Sequence, residues 1–96
     1  MQNWYTKSME DLCQAILSLK TKEECVAFLE DICTIKEIQD ISQRLEVARL
    51  LSQGISYTTI CKETGASTAT ISRVSRCLNY GSGGYLEVLK KMEEKP

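Results

Sequence analysis

Apolar residues recur at helical spacing along most of the chain, and no stretch alternates long enough to predict a β-strand. The spacing predicts a first helix over about 5–19 and the longest helix over about 35–52. Thr21–Glu24 and Thr34–Glu37 fit capping boxes that begin the second and third helices, since the glutamate satisfies an N–H group at the helix start. Gly54 is suited to end the third helix. The pattern therefore predicts an all-α fold of about six helices.

The segment 56–78 contains two short amphipathic patterns separated by a glycine. A first helix is predicted over about 56–63, Gly65 lies where a tight turn needs positive φ, and Ser67 is a good N-cap for a second helix ending near Leu78. This arrangement is a helix-turn-helix, whose second helix enters the major groove of DNA. The residues predicted to face inward are Ile60, Cys61, Ala66, Ile71, Val74 and Leu78.

Glycine and serine dominate residues 79–84, which predicts a loop, and a final helix is predicted over 85–94. Leu86, Leu89 and Met92 are its candidate inward residues. We accordingly expect one domain over residues 1–96. Its expected parts are dimerisation helices over 1–54, the helix-turn-helix over 56–78 and the C-terminal helix over 85–94.

The apolar residues of the first and third predicted helices point in several directions, as Leu45, Val47 and Leu50 illustrate. A helix that is apolar around most of its circumference needs neighbours on several sides. A chain of 96 residues supplies few of them. We therefore expect a homodimer with interlocked N-terminal helices, and a monomeric bundle is the alternative.

The net charge of −1 does not by itself favour nucleic acid, but the charges are unevenly distributed. Residues 1–54 hold six Lys and Arg against nine Asp and Glu, whereas residues 55–96 hold six against four. The positive half thus contains the predicted motif, as contact with phosphate requires. The outer side of its second helix carries small hydroxyls and arginines: Ser67, Thr68, Thr70, Ser72, Arg73 and Arg76.

The sequence contains five cysteines, Cys13, Cys25, Cys33, Cys61 and Cys77, and no histidine. An odd number without a CxxC motif argues against a disulfide framework and against a zinc site, so no metal is expected. We interpret the cysteines as reduced residues in small apolar core positions of a cytoplasmic protein, with a redox-sensing thiol as the alternative. No apolar run is long enough for a membrane span. Without histidine or a nucleophile–base pair, we expect neither an enzyme nor a cofactor.

The core Gly65–Arg73, GASTATISR, and the upstream stretch QRLEVARLLSQGISY resemble the Trp repressor family from about Ile35 onward. Within that superfamily the chain looks most like the YerC/YecD branch of Gram-positive bacteria. The resemblance implies an intertwined, all-helical dimer that places two recognition helices in successive major grooves, roughly 34 Å apart. It adds Tyr57, Thr58 and Ala69 to the residues expected to contact double-stranded DNA, beside Ser67, Thr68, Thr70, Ser72 and Arg73.

The chain departs from the family where the repressor holds tryptophan. A glycine that makes room for the indole ring is replaced by Val74, whose isopropyl group would overpack that space. The repressor's second clamping arginine aligns with Gln43, and the adjacent Arg44 points about 100° away on the helix. A pocket serine aligns with Cys77, so Arg73 is the one matching clamp residue. L-tryptophan is therefore not expected to bind, and the sequence identifies no other effector.

These features together predict a homodimeric, sequence-specific DNA-binding protein that regulates transcription. A protein-interaction module of the same fold is the alternative, because the net charge is low and the first motif helix is nearly neutral. Residues Thr68, Thr70, Ser72, Arg73 and Arg76 would carry DNA recognition, and Ser67 would cap the helix.

Overall fold

Six helices form the protein in a computed structural model that describes residues 4–94, and that part of the chain contains no β-strand. The helices are α1 (Lys7–Leu17), α2 (Lys22–Ile32), α3 (Ile35–Ser52), α4 (Tyr57–Thr64), α5 (Thr68–Tyr80) and α6 (Gly84–Glu94). The predicted all-α class and the number of helices are confirmed. None of these helices is both long and apolar enough to cross a membrane.

The ends of the helices follow from local hydrogen bonding. At the start of α3, Thr34 and Glu37 form a reciprocal capping box: the Glu37 carboxylate accepts the Thr34 N–H at 2.8 Å, and the Thr34 hydroxyl accepts the Glu37 N–H at 3.1 Å. At its end, Gly54 adopts φ +78°, and the Ile55 N–H donates to the Leu50 carbonyl. Both predicted ends of α3 are thus confirmed, because each depends on a residue or two of local sequence.

Four predicted helix boundaries and one predicted capping bond require correction. Helix α1 begins after Thr6, whose hydroxyl caps it, and it ends at Leu17. At α2, Glu24 accepts the N–H of Lys20 and not that of Thr21, although Thr21 caps the helix as predicted. Helix α5 runs to Tyr80, and α6 begins at Gly84. The observed loop is therefore shorter than the predicted one, by two residues at its start and by one at its end.

The chain divides into two compact units, residues 1–38 and residues 39–96. In the described part of the first unit, no residue is buried. The second unit contains a hydrophobic core built by α3, α4, α5, α6 and the turn between α4 and α5. The buried residues of this core are Val47, Ala48, Leu50, Ile60, Ala66, Ile71, Val74 and Leu89.

Several apolar residues, among them the predicted inward residues Leu86 and Met92, are exposed in the single chain. Leu17 on α1 is 74% exposed, and Ile41, Leu86 and Met92 in the second unit are about half exposed. Cys77 is also exposed, so its predicted core position is wrong, and the other four cysteines are only partly buried. The reason is that the helical pattern predicts an apolar face but not whether the same chain covers it.

Candidate DNA-binding interface

Helices α4 and α5 meet across a turn whose geometry is set by Gly65. This glycine has φ +75°, a left-handed conformation that residues with a Cβ rarely adopt, and its N–H donates to the Cys61 carbonyl at 2.9 Å. On either side of the turn, Ile60 and Ile71 are both 0% exposed and belong to one core. The predicted helix-turn-helix is therefore present, with its apolar sides packed together.

Two matching serine caps begin the two helices of the motif. Ser56 accepts the Thr59 N–H at 3.3 Å and donates its own hydroxyl proton to Thr59 Oγ1 at 3.0 Å. Ser67 makes the same pair of bonds with Thr70, at 3.1 and 3.2 Å. Each cap uses the hydroxyl groups of both residues. Ser67 and Thr70, both predicted to meet DNA, thus shape the start of α5, and Thr70 is only partly exposed.

The outer face of α5 is the exposed surface of the motif. At 100° per residue, five side chains fall within an arc of about 140°, and Ile71 and Val74 point to the opposite side. Both of these are buried, at 0% and 1% exposure. The five exposed residues are Thr68, Ala69, Ser72, Arg73 and Arg76. We call this set the α5 outer face.

The predicted contacts on the first motif helix also lie on the surface. Tyr57 and Thr58 occupy the first turn of α4, directly after the Ser56 cap, and both are exposed. The structure thus leaves eight of the nine predicted site residues exposed, with Thr70 the exception.

The charged groups of the α5 outer face are available for a ligand. Within residues 4–94, Arg73 and Arg76 form no ion pair. By contrast, Arg49 on α3 is held by Glu46 in a two-bond contact at 2.7 and 2.8 Å. The hydrogen bond from Arg49 lowers the pKa of Glu46 below its usual value. Arg49 is therefore paired with Glu46. The positive charge of the motif comes mainly from α5.

Two residues at which the sequence departs from the family, Val74 and Gln43, are engaged in contacts within the protein. Val74 is almost completely buried in the core. The side-chain amide of Gln43 on α3 donates to the Thr64 carbonyl at the end of α4, at 3.2 Å. Arg44 lines an open groove of about 610 Å³ with Cys77 and Tyr85.

Thr64 has a structural role at this site that was not predicted from the sequence. Its hydroxyl donates to the Ile60 carbonyl at 2.7 Å and accepts the Ala66 N–H at 3.1 Å, which ties the last turn of α4 to the residue after Gly65. The available signal was the position of a threonine directly before the turn glycine, because a threonine hydroxyl can bond to the carbonyl four residues back.

Comparison with known proteins agrees with this geometry. A family model described as Trp repressor protein matches residues 7–93. The chain belongs to the Trp repressor family. The uncharacterised protein YerC of Bacillus subtilis (strain 168) is 57% identical over 88 residues, covering 92% of this chain and 85% of the relative. The family resemblance proposed from the motif, including the YerC branch, is thereby confirmed.

Two solved structures share the Trp repressor fold of this chain. A TrpR-like protein from Eubacterium eligens ATCC 27750 is 52% identical, with a TM-score of 0.89 over 95% of this chain and 94% of its own. A Staphylococcus aureus protein described as a proposed Trp repressor is 46% identical. Its TM-score is 0.92 over 99% of this chain and 97% of its own. The likeness thus covers the whole fold and not the motif alone.

Proposed function

We propose that this protein is a sequence-specific DNA-binding regulator of transcription that acts as a homodimer and does not use tryptophan as corepressor. The observation that carries the proposal is the α5 outer face, where Arg73 and Arg76 lie exposed beside Thr68 and Ser72. Membership of the Trp repressor family supports it, since a repressor of transcription acts by binding DNA.

The outer face suits the chemistry of a DNA groove. Arginine can donate two hydrogen bonds to a guanine edge or to a phosphate, and small hydroxyls add shorter-range contacts. Ala69 would contribute through its backbone: the first N–H groups of a helix have no partner inside the helix, and they favour phosphate. The serine caps already satisfy the N–H groups of Thr59 and Thr70, which leaves those of Tyr57, Thr58, Thr68 and Ala69 for DNA.

The absence of tryptophan binding is proposed from Val74 and Gln43. The buried isopropyl group of Val74 occupies space next to Arg73, and the Gln43 amide is already bonded to Thr64. A regulator built in this way would bind its operator with α5 held in place by the protein's own side chains.

The test of DNA binding is a double substitution, Arg73→Ala with Arg76→Ala, in a low-salt shift assay against fragments selected from genomic DNA. Each arginine contact is worth about 1–3 kcal/mol, so we expect the loss of two contacts to lower the affinity about 30-fold or more. The matched control is Lys90→Ala with Lys91→Ala, which removes the same charge from exposed positions on α6. This control should retain most of the binding.

The outcomes separate the two candidate functions. Equal losses in the two double variants would mean that only net charge matters and that the α5 outer face is misassigned. No retention of DNA by the unmodified protein would instead favour the interaction module, in which the same fold contacts another protein. Circular dichroism of each variant establishes that the helices remain intact.

A further inference from the structure

We infer that Gln43 is a positioning residue for DNA binding: its bond to Thr64 fixes the orientation of the helix-turn-helix on α3. This inference rests on the proposed function, because it assumes that α5 meets DNA. Gln43 and Thr64 are 21 residues apart, whereas the caps of the motif join residues three apart. The bond therefore links the motif to the long helix that supports it.

The acceptor of this bond is a group that needs a partner. The last carbonyl groups of a helix have no partner within it, and the Thr64 carbonyl is the last of α4. Both Gln43 and Thr64 are partly buried, so water reaches this carbonyl less easily than at an open helix end. An unsatisfied carbonyl there would favour a shifted α4 that exposes the group to solvent.

Thr64 also stabilises the turn between α4 and α5. The Thr64 hydroxyl is bonded to the Ile60 carbonyl and to the Ala66 N–H, and Ala66 lies directly before the Ser67 cap of α5. Through its carbonyl and its hydroxyl, Thr64 thus connects α3, the last turn of α4 and Ala66, which precedes the cap of α5. We call these contacts the Gln43–Thr64 link.

A directional contact adds to the apolar packing between α3 and the motif. Val47 and Ala48 of α3 share a core with Ile60, Ile71 and Val74. Apolar burial is non-directional, so it holds the helices together without strongly fixing a small rotation between them. Hydrogen bonds weaken steeply when their angle changes. The link therefore supplies the angular restraint, and DNA contacts depend on that angle because two recognition helices must meet successive grooves.

The experiment uses Gln43→Met, which keeps the length and the neutral charge of the side chain but removes the donor. Its matched control is Gln53→Met, the same substitution at an exposed position in the turn after α3. A second variant, Thr64→Val, removes the hydroxyl at nearly constant size. We expect Gln43→Met, which loses one hydrogen bond, and Thr64→Val, which loses two, each to weaken DNA binding about three- to tenfold. The control should bind normally.

A second measurement is amide hydrogen exchange of Ala66 without DNA. We expect faster exchange in Gln43→Met although position 43 does not touch that amide, and unchanged exchange in Gln53→Met. A lower melting temperature with unchanged DNA affinity would overturn the inference, because it would make Gln43 a purely stabilising residue. If the unmodified protein binds no DNA, the proposed function fails. Unchanged Ala66 exchange in Gln43→Met would then separately disprove the link.

Discussion

At the scale of single residues, Val74 and Gln43 carry the proposal that this member of the Trp repressor family does not bind tryptophan. The sequence predicted that Val74 would fill the space of an indole ring, and the structure buries its side chain almost completely. It also predicted that Gln43 could not clamp a carboxylate, but it did not predict that Gln43 bonds to Thr64. A contact between residues 21 apart depends on how two helices pack, which local sequence does not reveal.

At this scale we predict that L-tryptophan does not bind. Isothermal titration calorimetry of the unmodified protein should show no heat beyond dilution, because binding would require the Val74 side chain to leave a packed core. The comparison is the double variant Val74→Gly with Gln43→Arg, which restores both the volume and the second cation. Measurable heat in the double variant alone would support the proposal that Val74 and Gln43 prevent tryptophan binding. A micromolar dissociation constant for the unmodified protein would contradict it.

Among the helices, the features that the sequence predicted well are those that one or two residues control. The Ser67 cap, the Thr34–Glu37 capping box and both ends of α3 agree with the prediction. The end of α5 was missed because Gly81, and not Asn79, ends it. A Cβ at Gly81 would lie 2.4 Å from the Cys77 carbonyl oxygen. That contact arises from the path of the chain and has no signature in the sequence.

The turn between α4 and α5 gives a prediction at the scale of the element. A Cβ at Gly65 would meet no atom within 4 Å, so the cost of Gly65→Ala comes from its positive φ alone. We expect Gly65→Ala to lower the free energy of unfolding by about 1–2 kcal/mol. Gly65→Asn should cost less, because asparagine tolerates the left-handed region. Urea denaturation of the three proteins measures both values, and equal costs would show that φ is not the cause.

For the whole molecule, the structure of one chain leaves much apolar surface uncovered. No described residue of the first unit is buried, and Ile16, Leu17, Val26 and Ile32 are each at least half exposed. Two helices without a core of their own are only marginally stable in water, because most helix stability in proteins comes from packing of an apolar face. The sequence predicted these apolar faces correctly. The pattern by itself does not assign them to one chain or to two, and the expectation of a dimer comes from how few neighbours a chain of 96 residues supplies.

We therefore predict a dimer in which a second copy covers the helices of the first unit. Analytical ultracentrifugation at micromolar concentration should show twice the mass of one chain. Leu17→Glu should shift the protein towards the monomer. Position 17 is 74% exposed in the single chain and would be buried in the dimer, where a carboxylate is unfavourable. Gln14→Glu makes the same charge change at another exposed position of α1 and should leave the dimer intact.

Since α1 and α2 have no core of their own, dissociation should also reduce the helical signal in circular dichroism. A monomer with full helical content would contradict the interlocked arrangement, because it would show that the first unit is stable without a partner.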